Sequence, residues 1–254
     1  MLKFPYGISD FHTLMTENYF YVDRTHLLPA IEDAGKQLLF LRPRRFGKSL
    51  LLSLLENYYD VAKADQFEKL FGQLAIGKQP TPKHNQYFVL KWDFSTVRAV
   101  GEVSSIQPAL YNHLNGCIEQ FGRFYRDRLN CQIVCNPNDA IHSFQSLLTA
   151  VSPTPYRLYL LIDEYDNFAN ELLMGKDGVG DHRYQALRTG EAVLKTVFNA
   201  VKSASSGRGL DRVFITGVSP VVLSDLTSGY NVAENIYLQD QFNDLCGFRA
   251  EELA

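Results

Sequence analysis

Cysteine is scarce in this chain of 254 residues, which has four: Cys117, Cys131, Cys135 and Cys246. A small secreted domain held together by disulfides needs a much higher density of cysteine, so that class of protein is excluded. Cys131 and Cys135 have a C-x3-C spacing, but neither a second pair nor a nearby histidine completes a set of zinc ligands. We therefore expect reduced thiols and no structural zinc.

Long apolar runs and a large net charge are also missing. No stretch approaches the roughly 18 apolar residues that a membrane-spanning helix needs. The first residues, MLKFPYGISDFHTL, lack the basic-then-apolar pattern of a signal peptide. We therefore expect a cytoplasmic protein without a membrane partner. The net charge is −3, from 25 basic and 28 acidic residues, which provides no overall attraction to nucleic acid or anionic lipid.

The sequence does contain a series of short apolar runs. Continuous apolar runs of this length are typical of strands that are covered on both faces, as in a parallel sheet between helices. Helical patterns separate them, including the nearly all-apolar Ser49–Tyr59 and the amphipathic Gly190–Ala204. The alternation predicts an α/β fold with three layers. The predicted strands are Lys36–Leu41, Tyr87–Trp92, Leu158–Ile162, Arg212–Thr216 and, more weakly, Asn235–Leu238.

The first chemical motif is RPRRFGKS, at residues 42–49, between a predicted strand and a predicted helix. It matches the phosphate-binding pattern G-x-x-x-x-G-K-[ST] at Gly47, Lys48 and Ser49, whereas Arg42 replaces the first glycine. Gly47 lets backbone N–H groups approach a phosphate, and the following helix N-terminus favours negative charge. Lys48 can reach the β- and γ-phosphates, and Ser49 can bind Mg²⁺. The candidate nucleotide-binding residues are Arg42, Pro43, Arg44, Arg45, Phe46, Gly47, Lys48, Ser49 and Leu50.

The same loop is strongly basic, because Arg42, Arg44, Arg45 and Lys48 fall within seven positions. It can therefore also contact the phosphates of a nucleic acid. A solvated basic turn without any ligand is a third interpretation. The position of the motif between a strand and a helix favours nucleotide binding.

The second motif is LYLLIDEYD, at residues 158–166, where an apolar strand ends in Asp163 and Glu164. In many ATPases an aspartate at this position holds Mg²⁺, and the adjacent glutamate activates the attacking water as general base. Acidic residues commonly end strands, so this motif alone does not distinguish a catalytic site from an ordinary strand end. Together with the phosphate loop it predicts a nucleoside triphosphatase, with Ser49 and Asp163 at the metal and Glu164 as a catalytic residue.

The third motif is RVFITGVSP, at residues 212–220, where a further apolar strand ends at Thr216. In such ATPases the corresponding strand carries a polar residue that contacts the γ-phosphate or the attacking water. Thr216 is the first candidate for this catalytic role, and Ser219 is the second. A threonine that is hydrogen-bonded by the neighbouring turn explains the residue equally well.

With these motifs in view, the chain resembles the AAA-ATPase-like family of bacteria and archaea. The resemblance implies a P-loop ATPase fold with a parallel five-stranded sheet in the order 5-1-4-3-2, and an arginine at the first glycine position looks typical of it. It implies that residues 1–240 form the ATPase domain, that residues 1–35 cover the nucleotide site, and that residues 241–254 begin a truncated helical lid. The matching blocks are PYGISDF, NYFYVDRT, RPRRFGKS, LKWDFS, LYLLIDEYD, ITGVSP and QFNDLCGF.

The resemblance also implies ATP and Mg²⁺ as ligands, and a role as switch or motor for a nuclease-like domain or partner that acts on DNA or RNA. Residues 217–235, where ring-forming relatives usually place an arginine finger, contain neither arginine nor lysine, so a hexameric ring is disfavoured. Slow or partner-dependent ATP hydrolysis is the favoured function. The alternatives are a scaffold that binds nucleotide without turnover and a nucleic-acid-binding module that uses residues 42–48.

The N-terminal block is rich in aromatic residues that precede the first strand. Phe11, Tyr19 and Tyr21 can stack on the adenine of a bound nucleotide, and Asp23 can cap a helix that starts near Thr25. Packing of the whole segment against the sheet is the alternative interpretation.

Overall fold

A sheet of five parallel strands forms the centre of the described part of the chain. In this computed structural model, residues 3–97, 103–168, 181–219, 230 and 232–252 are described, with the backbone alone for 181–187 and 250. The first four strands lie where the apolar runs predict them. The strands are β1 (Gln37–Leu41), β2 (Tyr87–Asp93), β3 (Arg157–Asp163), β4 (Leu210–Gly217) and β5 (Glu234–Asn235).

The strands are hydrogen-bonded in the order β2-β3-β4-β1-β5, which is 5-1-4-3-2 when read from the β5 edge. The fifth strand differs in detail from its prediction. The sequence predicts Asn235–Leu238, but the strand is Glu234–Asn235, and a 3-10 helix covers Ile236–Leu238. Only two β5 residues pair with β1, and the chain then leaves the ladder, which buries Ile236 in the core.

Helices cover both faces of the sheet. The helix predicted over Ser49–Tyr59 begins one residue earlier, and the one predicted over Gly190–Ala204 begins at Asp181. Among the described helices, none has the length and apolar character that crossing a membrane requires. The helices are α1 (Phe11–Thr16), α2 (Leu28–Ala34), α3 (Lys48–Tyr59), α4 (Phe67–Phe71), α5 (Ala75–Lys78), α6 (Val103–Phe124), α7 (Ala140–Val151) and α8 (Asp181–Ala204).

Alternate residues of each strand enter two different cores, because successive side chains of a strand point to opposite faces. In β1, Leu39 and Leu41 pack into the core that α6, α7 and α8 cover. Leu38 and Phe40 pack into the core that α3 covers. The apolar runs are therefore continuous because both faces are buried, which confirms the three-layer α/β fold.

The carboxyl ends of the parallel strands meet at one edge of the sheet. The strand register places Leu41 opposite Gly217 and Asp93 opposite Asp163. The loop after β1 and the acidic end of β3 therefore lie at the same edge, separated by the end of β4. Ligands of open α/β sheets bind at this edge.

Two sequence features extend beyond the described residues. Pro220, the last residue of the third motif, lies outside them. So do residues 221–229 and 231, which make up most of the segment 217–235 that lacks basic residues.

Candidate functional site

The loop between β1 and α3 turns at two residues with positive φ. Arg45 has a φ of 68° and Gly47 a φ of 91°. Glycine adopts this conformation without strain, and the turn leads directly into α3, which begins at Lys48. The first N–H groups of a helix have no acceptor within the helix, and the helix dipole adds positive potential there. The loop and the start of α3 thus have the geometry of an anion site.

The side chain of Lys48 lies inside this loop and is buried. Its Nζ donates hydrogen bonds to the carbonyl oxygen of Arg42 at 3.0 Å and to that of Pro43 at 3.1 Å. A negatively charged phosphate oxygen adds Coulomb attraction to a hydrogen bond from an ammonium, which a neutral carbonyl oxygen does not. A phosphate oxygen is therefore a better partner for this ammonium than the two carbonyls it now contacts.

The arginine that replaces the first glycine makes structural contacts. The guanidinium of Arg42 donates to the carbonyl oxygens of Leu41 at 2.9 Å, Tyr237 at 3.4 Å and Phe242 at 3.1 Å. It also lies 4.7 Å from the ring centroid of Phe40, a cation–π contact. Arg42 therefore connects the phosphate loop to the segment that follows β5, a role that the sequence pattern does not reveal.

Replacement of Arg42 by alanine is expected to lower the free energy of unfolding by about 2 kcal/mol, because three carbonyl groups lose a charged donor. Arg42→Lys recovers only part of this loss, since one ammonium lacks the fork of donors that reaches all three. Urea unfolding followed by circular dichroism measures the effect. Arg44→Ala, at an exposed position in the same loop, is the matched control. Equal free energies of unfolding for the Arg42 and Arg44 variants would show that the hydrogen bonds of Arg42 to the three carbonyl groups do not stabilise the fold.

The carboxylate of Asp163, at the end of β3, is buried and held in place. Its Oδ1 accepts a hydrogen bond from the hydroxyl of Thr216 at 2.6 Å and from the backbone N–H of Glu164 at 3.0 Å. The Thr216 hydroxyl also lies 3.4 Å from the carbonyl oxygen of Ile162. Thr216 is thus fully buried and orients Asp163, and its hydrogen-bond partners lie on the adjacent strand β3 rather than in the turn that follows it.

Glu164 is partly buried and has a φ of 49°, which is unusual for a residue other than glycine. Burial raises the pKa of its carboxyl above the usual range, and the negative charges of Asp163 and Asp93 raise it further. The positive charges of Lys48 and Arg44 act in the opposite direction. Glu164 therefore lies within the electrostatic reach of the phosphate loop and of the neighbouring carboxylates at once.

The strand edge gains a second carboxylate from β2. Asp93 is the register partner of Asp163, and its Oδ1 accepts a hydrogen bond from the backbone N–H of Ser95 at 2.9 Å. This bond fixes the turn into the 3-10 helix Phe94–Thr96. Asp93 therefore adds negative charge near Glu164, and its hydrogen bond stabilises the turn that follows β2.

Comparison with protein families decides the family to which this chain belongs. The family described as "Predicted AAA-ATPase" matches residues 5–227. The chain belongs to this AAA-ATPase-like family. Membership supports nucleotide binding, most directly of ATP, and agrees with a phosphate loop that opens α3.

A curated relative of this AAA-ATPase-like chain is the "Uncharacterized protein in vnfD 5'region" of Azotobacter chroococcum mcd 1. The two sequences are 25% identical over 250 residues, which is 97% of this chain and 43% of the relative. The chain therefore spans less than half the length of that relative.

Asp166 is a site residue that the sequence analysis did not single out, although it ends the second motif. Its buried carboxylate accepts hydrogen bonds from the backbone N–H groups of Val218 at 3.1 Å and Ser219 at 2.8 Å. The hydroxyl of Tyr165 donates to the carbonyl oxygen of Ser219. A β-carbon at Gly217 would lie 2.4 Å from the Tyr165 ring, so only glycine fits there. The turns after β3 and β4 are thus joined.

The residues at the strand edge fit the oxygen chemistry of Mg²⁺, which prefers a few carboxylate or hydroxyl ligands and retains several waters. Among the described residues, both hydrogen bonds to Asp163 end on Oδ1, which leaves Oδ2 for a metal or its water. Ser49 stands at the second position of α3 and supplies a hydroxyl. No group of three or more histidine, cysteine, aspartate or glutamate side chains in the described ranges forms a protein-only metal cage.

The aromatic residues of the N-terminal block divide between the core and the surface. Phe11 is fully buried and contacts the rings of Tyr21 and Phe71. Burial raises the pKa of the Tyr21 hydroxyl well above its usual range, as expected for a core residue. The ring of Tyr19 instead lies under the ammonium of Lys3, at 3.9 Å. Packing against α3 and α4, in the core on that side of the sheet, therefore accounts for Phe11 and for Tyr21, which lies against it.

Asp23 fixes the same segment to the rest of the domain. Its Oδ1 accepts hydrogen bonds from the N–H and the hydroxyl of Thr25, at the start of a 3-10 helix. Its Oδ2 accepts one from the N–H of Ala75, the first residue of α5. The expected cap near Thr25 is confirmed, and one carboxylate joins two helix starts.

Proposed function

We propose that this chain binds ATP with Mg²⁺ and hydrolyses it slowly or with the help of a partner. The observation that carries the proposal is that the loop after β1 and the acidic end of β3, with Asp163 and Glu164, lie at the same edge of the sheet. A phosphate-binding loop, a metal-binding carboxylate and a general base thus share one strand edge, which is the combination that phosphoryl transfer to water requires.

Each group has a distinct role in this proposal. The N–H groups of the loop and of α3 bind the phosphates, and Lys48 exchanges its two carbonyl partners for phosphate oxygens. Ser49 and Asp163 hold Mg²⁺, which when bound neutralises charge that develops on the phosphates. Glu164 accepts a proton from the attacking water. Thr216 keeps Asp163 in its orientation.

The rate of hydrolysis is expected to fall as the pH decreases through the raised pKa of Glu164, because a protonated carboxyl cannot accept a proton from water. Since burial raises this pKa, the fall begins at a higher pH than for an exposed glutamate. The value of kcat/KM for Mg·ATP, which reports the pKa of the free enzyme, shows this fall when it is measured between pH 4.5 and 8. The residual activity of Glu164→Gln is expected not to fall over this pH range. The same fall in that variant would show that another group titrates.

Phosphate release from ATP, measured with Mg²⁺ and with a chelator, tests the proposed function. We expect release that requires Mg²⁺ and is lost in Asp163→Asn, a variant that keeps the size of the side chain and an acceptor for Thr216. Saturable ATP binding without release would instead favour a nucleotide-binding scaffold. Salt-sensitive DNA binding in the absence of ATP would favour a nucleic-acid-binding module, to which the exposed side chains of Arg44 and Arg45 are suited.

The biological role that we propose is a switch or motor for a nuclease-like effector acting on DNA or RNA. Support comes from the length of the curated relative, of which this chain spans 43%. The remainder of such a protein has room for an effector domain. Assay of that full-length relative for cleavage of DNA and RNA, with and without Mg·ATP, tests this role, and cleavage that is absent or independent of ATP would contradict it.

A further inference from the structure

Three phenylalanine rings contact one another in series near the loop between β1 and α3, and a fourth phenylalanine, in that loop, contacts the residue next to the series. Phe46, between the loop arginines and Gly47, contacts Gly247, where a β-carbon would lie 3.3 Å from Phe46 Cδ1. The neighbouring Phe248 lies nearly parallel to Phe20, with an interplanar angle of 15° and centroids 6.5 Å apart. Phe20 in turn contacts Phe4, with centroids 5.4 Å apart. We call Phe46, Phe248, Phe20 and Phe4 the aromatic row.

Most of this row is exposed to solvent. The side chains of Phe46, Phe248 and Phe4 are 45%, 60% and 67% exposed, respectively. Exposed apolar side chains are unremarkable singly, but neighbouring ones mark a binding surface. Because the row starts at the loop that is suited to phosphate, its occupant is expected to combine phosphates with a flat aromatic group. A nucleotide has both parts.

Polar contacts hold the segment that carries Phe248 close to the loop. The Arg42 guanidinium donates to the carbonyl oxygen of Phe242 at 3.1 Å. An ion pair joins Arg24 to Glu252 at 2.6 Å, and another joins Arg249 to Asp244 at 2.5 Å. Arg42 therefore joins the segment to the loop before Phe248, Arg24 joins it to the N-terminal block after Phe248, and the pair between Arg249 and Asp244 lies within the segment itself.

Gly247 allows the close approach of the segment to Phe46. Its φ is +90°, a conformation that a residue with a side chain adopts only with strain. The absence of a β-carbon lets the Phe46 ring lie against its backbone. Because Gly247 immediately precedes Phe248, the segment that carries Phe248 passes directly against the ring of Phe46 in the loop.

We propose that the base of the bound nucleotide stacks on Phe46 and Phe248, an inference that rests on the proposed function. Stacking on phenyl faces recognises ring area rather than a pattern of hydrogen bonds. The site is therefore expected to prefer purine over pyrimidine nucleotides and to discriminate weakly between adenine and guanine. This assignment replaces Phe11 and Tyr21, which belong to the core, as the residues that hold the base.

The test compares Mg·ATP with Mg·tripolyphosphate, which has the phosphates without a base. Phe248→Ala and Phe46→Ala are each expected to weaken ATP binding about tenfold, as the loss of one stacking contact does, and to leave tripolyphosphate binding unchanged. Phe248→Trp, which keeps an aromatic face, is expected to retain ATP affinity. Phe124→Ala, on α6 and 58% exposed, is the control. Isothermal titration calorimetry measures each affinity.

Four outcomes would overturn the inference. Unchanged ATP affinity in both variants, together with loss of binding in Lys48→Ala, would exclude the aromatic row and leave the proposed function intact. Equal loss for ATP and tripolyphosphate would show that the variants damage the phosphate loop itself. A change of oligomeric state in Phe248→Ala at constant ATP affinity, measured by sedimentation, would assign the row to contact with another copy. Failure of the wild-type chain to bind ATP would overturn both proposals.

Discussion

Replacement of Lys48 by alanine is expected to remove the stabilisation of this chain by ATP. Lys48 places a buried ammonium in the centre of the loop, and a phosphate is its strongest available partner. At a concentration about 100-fold above the Kd, Mg·ATP is expected to stabilise the wild-type chain by about 2.7 kcal/mol and to raise its Tm by about 5–10 °C. If the substitution weakens binding about 100-fold, the same concentration raises the Tm of Lys48→Ala by only about 1 °C.

Lys36→Ala is the matched control for this substitution. Lys36 immediately precedes the opposite end of β1, where it pairs with Asp211, and its side chain is 67% exposed. We expect the full ATP-induced increase in Tm in Lys36→Ala. Each increase is measured against the same variant without ATP, so a lower intrinsic stability of Lys48→Ala does not affect the comparison. A full increase in Lys48→Ala would contradict the assignment of the loop.

Replacement of Glu164 by glutamine is expected to reduce ATP turnover by about 10²–10⁴-fold, the usual contribution of a general base. The amide has nearly the same shape as the carboxylate but accepts no proton from water. Binding of Mg·ATP is expected to remain within about threefold of the wild-type affinity, because Glu164 acts only on the attacking water. Phosphate release gives the turnover rate, and calorimetry gives the affinity.

The control for this variant is Glu119→Gln, on the exposed face of α6, where Glu119 pairs with Arg123. It is expected to hydrolyse ATP at the wild-type rate. Wild-type turnover in Glu164→Gln would assign the proton transfer to another group. A parallel loss of binding and turnover would instead indicate that Glu164 supports the structure of the loop.

The sequence alone predicts the sheet and the phosphate loop because both depend on local patterns. The run of apolar residues in β3 is continuous since both faces are buried, and it stops at Asp163, where the chain reaches the strand edge. The loop is recognisable because Gly47, Lys48 and Ser49 are adjacent in the chain. Patterns of this length require no knowledge of distant contacts.

The contacts of Arg42 and Thr216 could not be predicted, because their partners are distant in sequence. Arg42 donates to the carbonyl of Phe242, 200 residues away. Thr216 donates to Asp163, 53 residues away, on the adjacent strand β3. Any residue has a backbone carbonyl, so the sequence does not reveal the partners of Arg42. The motif suggests only that its side chain binds phosphate, and the carbonyl contacts become visible in the structure. A fifth strand is predicted, but its bounds are not, because a strand of two residues is too short to show a periodic pattern.

A calorimetric titration of Mg·ATP into the wild-type chain tests most directly whether this strand edge is a nucleotide site. We expect a single site with a Kd on the order of micromolar, or about −8 kcal/mol, and a Kd about 100-fold higher in Lys48→Ala under the same conditions. Absence of binding heat at millimolar Mg·ATP, with the chain folded by circular dichroism, would contradict the assignment of residues 42–49 as a nucleotide-binding loop.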